Sequence, residues 1–145
     1  MSYTYTDASF SDKESLYLVF RTVMREFIID IWGWEEDWQV NDFNSNYLPE
    51  NIIIVKNNHD IVGYCQFEEK SNYFFIRMLV VLPGHQSKGI GKRLLLLLKE
   101  KSDENSKHIQ LNVFKINNKA KMFYIKQGLK VIRETDIGYI MESTA

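Results

Sequence analysis

The sequence predicts an α/β (α+β) fold in one domain that spans residues 1–145. Amphipathic helix patterns alternate with short apolar strand patterns along the whole chain. A nearly continuous apolar strand at 73–82 leads directly into a glycine-rich loop and a leucine-rich helix. Together these observations predict the element order β-α-α-β-β-β-α-β-α-β-β. A domain of this length buries about 70% of the surface of its unfolded chain, enough for one core.

The first half of the chain predicts an edge strand, two helices and a β-meander. Ser11 or Asp12 is a suitable N-cap for the first helix, and Gly33 interrupts its apolar pattern. The third strand of the meander is apolar at nearly every position, which is typical of a strand buried on both faces. The predicted ranges are 1–7 for the edge strand, 12–31 and 35–44 for the helices, and 52–55, 61–69 and 73–82 for the meander.

The second half predicts two helices and three further strands. Leu94–Leu98 gives the third helix a broad apolar face, which we assign to the core. Asn117 or Asn118 is the expected N-cap of the fourth helix, and Gly128 is the expected stop. The predicted ranges are 88–101 and 118–127 for the helices, and 108–114, 129–133 and 138–141 for the strands.

Composition excludes several classes of function. The formal net charge is −1 and no basic stripe is present, so we expect no nucleic-acid partner. No segment has the pattern of a membrane span or a secretory signal. The single cysteine, Cys65, fits a reducing compartment, and we expect a cytoplasmic protein. The three histidines and Cys65 lack metal-ligand spacing, so we expect no metal.

The segment after the strand at 73–82 has the pattern of a phosphate-binding loop. Glycines before a helix let a phosphate approach the unpaired amides of the first helical turn. A P-loop is excluded because Ile90 and Gly91 occupy the positions of its Lys and Ser/Thr. A dinucleotide fingerprint is excluded because Leu94 occupies the position of its third small residue. The remaining pattern is Q-x-x-G-x-G, formed by Gln86-Ser87-Lys88-Gly89-Ile90-Gly91.

This pattern resembles the pyrophosphate loop of the GNAT superfamily, the acyl-CoA-dependent N-acetyltransferases. A second motif of that superfamily follows one helix and one strand later. It is matched by Asn117, Ala120, Phe123, Tyr124, Gly128 and Leu129. The resemblance implies the GNAT fold, a central mixed and mostly antiparallel sheet of six to seven strands flanked by about four helices.

The resemblance also implies roles for single residues. Leu79 and Val81 would pair through their backbones with the pantetheine arm of acetyl-CoA, and the Val81 amide would donate to the thioester oxygen. Asn117 would hydrogen-bond the pantetheine, and Tyr124 would lie beside the sulfur. The CoA pyrophosphate would bind the amides of Gln86, Ser87, Lys88, Gly89, Ile90, Gly91 and Lys92.

The chemistry of acyl transfer favours Tyr124 as a general acid. A departing thiolate has a reference pKa of about 8.5, and a phenol with a pKa of about 10 is able to protonate it at close range. The alternative is a tyrosine that only packs in the core. The general base stays open, because the strand at 73–82 carries no carboxylate. Its candidates are Glu35, Glu36, Asp37, Asp136 and a chain of water molecules.

The acceptor site is predicted from an unusual aromatic and acidic run. Trp34, Glu35, Glu36 and Trp38 would form a wall for a cationic amine, through cation–π and carboxylate contacts. Alternatively, the tryptophans close the core and the carboxylates are solvated. Arg77 lies in an apolar strand, and it would bind an acceptor carboxylate or pair with an acid of the chain itself.

The predicted function is therefore N-acetylation. An acetyl group would move from acetyl-CoA to a primary amine of a small molecule or peptide, by direct attack in a ternary complex. The alternative is a non-catalytic sensor or interaction module that binds acyl-CoA with the same fold. The protein would act as a monomer or homodimer.

Overall fold

The structure, a computed structural model, describes residues 2–143. The described part contains seven strands, four α-helices and three short 3₁₀ segments. The helices are α1 (Lys13–Ile31), α2 (Glu36–Ser45), α3 (Ile90–Glu104) and α4 (Asn118–Lys126). The strands are β1 (Tyr3–Asp7), β2 (Ile52–Asn57), β3 (Asp60–Glu69), β4 (Tyr73–Val81), β5 (His108–Phe114), β6 (Leu129–Glu134) and β7 (Gly138–Ser143). The 3₁₀ segments are Phe10–Asp12, Pro49–Asn51 and Pro83–His85.

The strands form one mixed sheet in the order β1-β2-β3-β4-β5-β7-β6. The pairs β1–β2, β2–β3, β5–β7 and β6–β7 are antiparallel. The strands β4 and β5 are parallel, and their ladder runs from Tyr73↔His108 to Ile76↔Leu111. The predicted fold class, a mostly antiparallel sheet with four helices, is confirmed.

The chain divides into two compact units, each with buried apolar residues. One unit contains the chain up to Gln66 together with Met78–Leu94, and the other contains Phe67–Arg77 and the chain from Leu95 onward. The prediction of a single domain over 1–145 stays a prediction. In the first unit the buried residues include Leu16, Phe20, Ile52, Ile54, Tyr64 and Leu94. In the second they include Phe74, Leu98, Ile109, Leu111 and Met141.

The start of α3 differs from the prediction by two residues. We predicted a helix from Lys88, but the helix begins at Ile90. Ser87 and Gly89 have φ angles of +62° and +82°, which lie outside the right-handed helical region. The loop therefore continues until Gly89, and the first helical amides follow it directly.

The cap of α1 also differs in part from the prediction. Asp12 is the residue that precedes the helix, as predicted, but its side chain does not cap α1. Its carboxylate instead accepts hydrogen bonds from the Ser9 amide at 2.9 Å and the Ser9 hydroxyl at 3.1 Å. The carboxylate therefore stabilises the 3₁₀ segment Phe10–Asp12, which periodicity alone does not reveal.

The expected burial of β4 on both faces is wrong for its first half. Phe74 and Ile76 are buried, whereas Tyr73, Phe75 and Arg77 are only half-buried. Alternate side chains of a strand point to opposite faces, so this half has one better-covered face. Only at the end of β4 are two consecutive residues, Val80 and Val81, both buried.

Gly63 on β3 permits the close approach of β4, and we expect Gly63→Ala to destabilise the fold. A Cβ at Gly63 would lie 2.7 Å from the backbone oxygen of Val80, so one of the two strands must shift. We expect the free energy of unfolding to fall by about 1–3 kcal/mol, measured by urea denaturation. Gly84→Ala is the control, because a Cβ there meets nothing within 4 Å. An equal loss of stability in both variants would contradict this explanation.

Candidate functional site

The last residues of β4 present alternate peptide groups to opposite sides of the strand. The Leu82 amide donates to the Val62 carbonyl of β3 at 2.8 Å. Peptide groups of residues two apart in a strand point to the same side, so Val80 also faces β3. Leu79 and Val81 therefore direct their amides away from β3. This is the side on which backbone pairing with a ligand is possible.

The loop after β4 is fixed to the strand by the side chain of Gln86. Its Nε2 atom donates to the Val81 carbonyl at 2.9 Å. This hydrogen bond occupies the carbonyl oxygen of Val81. It does not involve the Val81 amide, which we predict to donate to the thioester oxygen. It also gives Gln86 a structural task, in addition to the predicted contact of its amide with phosphate.

The conformation of the loop suits an anion. Ser87 and Gly89 both adopt left-handed φ angles, a conformation that Asn58 and Ser106 also adopt in turns elsewhere in the chain. The φ of +82° favours glycine at position 89. Lack of space does not, since a Cβ there would meet nothing within 4 Å. The amides of Ile90, Gly91 and Lys92 begin α3 and lack partners within the helix. Ser87, Lys88, Gly89 and Lys92 are exposed around this helix start, whereas Ile90 is buried. Unpaired amides at a helix start favour an anion, and the predicted contact with the CoA diphosphate stays a prediction.

A contact with β1 also stabilises the loop. The Tyr3 hydroxyl and His85 Nδ1 lie 3.0 Å apart, and the two rings meet edge to face. The partners are 82 residues apart in the sequence, so no local pattern predicts this contact. His85 therefore positions the loop in addition to any contact with a ligand.

The second motif lies in the other unit, together with Arg77. Asn117 is the N-cap of α4, and its Oδ1 accepts from the Ala120 amide at 3.2 Å. This hydrogen bond confirms the predicted cap and fixes the orientation of the Asn117 side chain. Tyr124 is buried at 7% exposure, with its ring edge to face against Phe123. The roles of Asn117 and Tyr124 toward acetyl-CoA stay predictions.

Glu36, at the start of α2, is engaged by two side chains of α1. Tyr17 donates a hydrogen bond to one carboxylate oxygen, and Arg21 lies 3.1 Å from the other. The hydrogen bond from Tyr17 and the charge of Arg21 lower the pKa of Glu36, and the Trp34 indole N–H adds a smaller effect without reaching hydrogen-bond geometry. Burial and the bond to Glu36 raise the pKa of Tyr17 to about 12. These contacts favour a role for Glu36 in joining the two helices.

The junction between α1 and α2 contains a concave site, which we call the tryptophan cavity. Its volume is about 490 Å³. Trp32 and Trp38 are 65% and 58% exposed, whereas Trp34 is half-buried and packs against Phe20. The lining residues are Ile28, Trp32, Gly33, Trp34, Glu35, Trp38 and Gln39. Of the predicted wall, Trp34, Glu35 and Trp38 thus line one cavity, and Glu36 lies outside its lining.

Arg77 pairs with an acid of the chain itself. Its Nη1 lies 3.7 Å from Glu68 Oε1, and both side chains are about one-third exposed. The Glu68 carboxylate also pairs with Lys70, whose Nζ lies 3.0 Å from Oε2. At a distance of 3.7 Å the ion pair between Arg77 and Glu68 is weak. Arg77 makes a further interaction as well, and its predicted role toward an acceptor carboxylate stays a prediction.

The remaining candidate residues have simpler surroundings. Cys65 is fully buried, and burial raises the pKa of its thiol to about 12, as expected for a packing residue. Asp136 is exposed in the turn between β6 and β7. Within residues 2–143, no cluster of His, Cys, Asp or Glu is arranged to hold a metal ion. Over the same residues, every helix is too short or too polar to cross a membrane.

The contacts of Glu36 predict a pH-dependent effect of Glu36→Gln. Because the pKa of Glu36 is lowered in the fold, its carboxylate stabilises the fold above its unfolded pKa, near 4.5, and this stabilisation is lost as the pH falls through the folded pKa. We expect Glu36→Gln to reduce the free energy of unfolding at pH 7, by a small amount because the group is exposed. Urea denaturation between pH 7 and pH 3 should show the difference shrinking as the pH falls. A difference that is constant with pH would contradict the charge-based explanation.

Comparison with known proteins places these features in a family. The sequence model of the acetyltransferase (GNAT) family matches residues 15–129. Among curated protein sequences, none is significantly similar to this chain.

Solved structures share the fold at low sequence identity. The PaiA N-acetyltransferase of Thermoplasma acidophilum, solved in complex with coenzyme A, aligns with a TM-score of 0.84 and 22% identity over 100% of both chains. The ribosomal-protein-S18-alanine N-acetyltransferase of Escherichia coli aligns with a TM-score of 0.74 and 18% identity, over 99% of this chain and 96% of that one. Arabidopsis thaliana Naa50, in complex with the bisubstrate analogue CoA-Ac-MVNAL, aligns with a TM-score of 0.70 and 19% identity over 100% of both chains.

The family match spans most of the chain and includes both motifs, and the fold agrees with it. The chain therefore belongs to the acetyltransferase (GNAT) family, the acyl-CoA-dependent N-acetyltransferases, which use acetyl-CoA as cosubstrate.

Proposed function

We propose that this protein transfers the acetyl group of acetyl-CoA to a primary amine of a small molecule or peptide, by direct attack in a ternary complex. The observation that carries the proposal is the end of β4. There, the amides of Leu79 and Val81 point away from β3, and an exposed loop with two left-handed residues, Ser87 and Gly89, leads into the first turn of α3. Strand-like pairing with pantetheine and capture of a diphosphate both use backbone amides in this way.

The proposed reaction assigns one task to each of two groups. The neutral amine attacks the thioester carbonyl, the new C–N bond forms, and negative charge develops on the oxygen, to which the Val81 amide donates. The C–S bond then breaks, and the thiolate takes the proton of the Tyr124 hydroxyl. The proton lost by the amine passes to a base. Of the carboxylates considered, Glu36 is the least available for this step, since both its oxygens are engaged.

The acceptor class follows from the charged and aromatic groups of the predicted wall. Trp34, Glu35 and Trp38 favour a cationic molecule, and Arg77 would favour one that also carries a carboxylate. Two structurally similar proteins support the inclusion of peptides. One is named for the alanine of a ribosomal protein, and the other was solved with a CoA–peptide analogue.

A non-catalytic acyl-CoA sensor is the second candidate, favoured by one observation. The residues of β4 include no carboxylate, so this strand offers no general base. A panel of primary amines and peptides, assayed by release of CoA thiol, distinguishes the two candidates. Turnover of any amine supports the enzyme, whereas tight binding of acetyl-CoA with no turnover on the whole panel supports the sensor. Absence of acetyl-CoA binding in calorimetry would overturn both.

A further inference from the structure

All three tryptophans of the chain line the tryptophan cavity. Large aromatic side chains normally bury most of their surface, yet Trp32 and Trp38 expose more than half of theirs. The half-buried Trp34, packed on Phe20, forms a more rigid part of the lining. A cavity of about 490 Å³ with this lining is large enough for a small organic ligand.

The charged residues around the tryptophan cavity determine which sign of charge a ligand there would carry. The chain from Glu26 to Val55 contains seven carboxylates and no Lys, Arg or His. Arg21 pairs with Glu36 and Arg25 also acts on this carboxylate, but Glu36 and the two arginines lie outside the cavity lining. The lining carboxylate is Glu35, and among residues 2–143 neither a basic side chain nor a hydrogen-bond donor contacts it.

We propose that the tryptophan cavity binds an organic cation, either an alkylammonium or a quaternary ammonium group. The faces of indole rings attract such cations and cover their alkyl groups. The unpaired Glu35 carboxylate adds a charge of the opposite sign, while an anionic ligand would be repelled. The lining of the cavity thus combines apolar aromatic surface with one carboxylate and no basic side chain.

The bound cation is a group of the acceptor other than the reacting nitrogen, a step that rests on the proposed function. A site that stabilises an ammonium group raises its pKa and keeps it protonated. Attack on the thioester requires a neutral amine, so a nitrogen held against Glu35 and the indoles would react slowly. The acceptor class is therefore a molecule with two cationic groups, of which the tryptophan cavity holds one and the acetyl group modifies the other.

Intrinsic fluorescence tests the cation site without any turnover, because every tryptophan of the chain lines the cavity. We expect choline to change the emission saturably, and to bind at least about tenfold more tightly than its neutral analogue 3,3-dimethylbutan-1-ol. Glu35→Gln should weaken choline binding about three- to tenfold. Glu50→Gln, an exposed carboxylate of the same acidic segment outside the cavity, should leave it unchanged. No response to choline, or equal affinity for its neutral analogue, would overturn the cation site.

A pair of amines tests the assignment to the acceptor. Hexylamine and (6-aminohexyl)trimethylammonium present the same primary amine, and the quaternary group of the second is unable to react. We expect a higher kcat/KM for the second amine, and a smaller advantage in Glu35→Gln than in Glu50→Gln. Equal kcat/KM values, together with a choline response, would support the cation site and overturn its use by the acceptor. A choline response without turnover of any amine would overturn the proposed function and leave the cation site supported.

Discussion

Gly89→Glu should reduce the affinity for acetyl-CoA at least about 100-fold, as measured by isothermal titration calorimetry. Two effects act together at this position. A side chain at φ +82° strains the backbone, which moves the amides that begin α3. The added carboxylate also lies beside the amides that would bind the diphosphate, where it competes for them and repels the ligand. The variant should remain folded, because a Cβ at Gly89 meets nothing within 4 Å.

Gly84→Glu is the matched control for this prediction. It places the same charge in the segment after β4, at a glycine whose φ is not left-handed and whose Cβ would also meet nothing within 4 Å. We expect a loss of acetyl-CoA affinity below about fivefold, since only long-range repulsion remains. Unchanged affinity in Gly89→Glu, with native circular dichroism, would place the diphosphate elsewhere. Equal losses of acetyl-CoA affinity in both variants would show that the added charge alone causes the effect and would contradict the placement of the diphosphate at Gly89.

Local patterns predicted most of the fold. Strand periodicity, Asn117 as a cap and Gly128 as a stop located the elements to within a few residues, because each of these signals acts over one or two turns of chain. The start of α3 was predicted too early, at Lys88. The pattern Q-x-x-G-x-G identifies a loop, but only backbone angles reveal that Ser87 and Gly89 are left-handed. A boundary set by two such residues is invisible to hydrophobic periodicity.

The candidate site was predicted less completely because its supporting contacts are long-range or differ by a single residue. The bond between Tyr3 and His85 joins residues 82 apart. Glu35 and Glu36 are adjacent and chemically equivalent in the sequence. The start of α2 separates them, since Glu36 meets α1 whereas Glu35 lines the tryptophan cavity. Glu35 is the N-cap and has extended backbone angles, φ −117° and ψ 111°, whereas Glu36 is the first helical residue, so the two carboxylates reach different partners.

Tyr124→Phe should lower kcat by about 10²–10⁴-fold and change acetyl-CoA affinity by less than about threefold. Removal of the hydroxyl removes the proposed donor to the departing thiolate, while the ring keeps its packing against Phe123. The split between kcat and binding is the informative result, because a merely structural tyrosine would affect stability or affinity first. Steady-state kinetics with a reactive amine from the panel, and calorimetry with acetyl-CoA, measure the two quantities.

Tyr139→Phe is the matched control, since it removes the same hydroxyl from a half-buried tyrosine of the same unit. The Tyr139 ring lies under the ammonium group of Lys121, at 4.1 Å from the ring centroid, and this contact survives the substitution. We expect its kcat to stay within about twofold of the native enzyme, because no proton transfer is assigned to it. If Tyr124→Phe keeps the native kcat, water or another group protonates the thiolate, and the role proposed for Tyr124 is wrong. A loss of kcat in Tyr124→Phe that disappears with thioesters of more acidic thiols would instead tie the hydroxyl to the leaving group, because such thiolates depart without a proton.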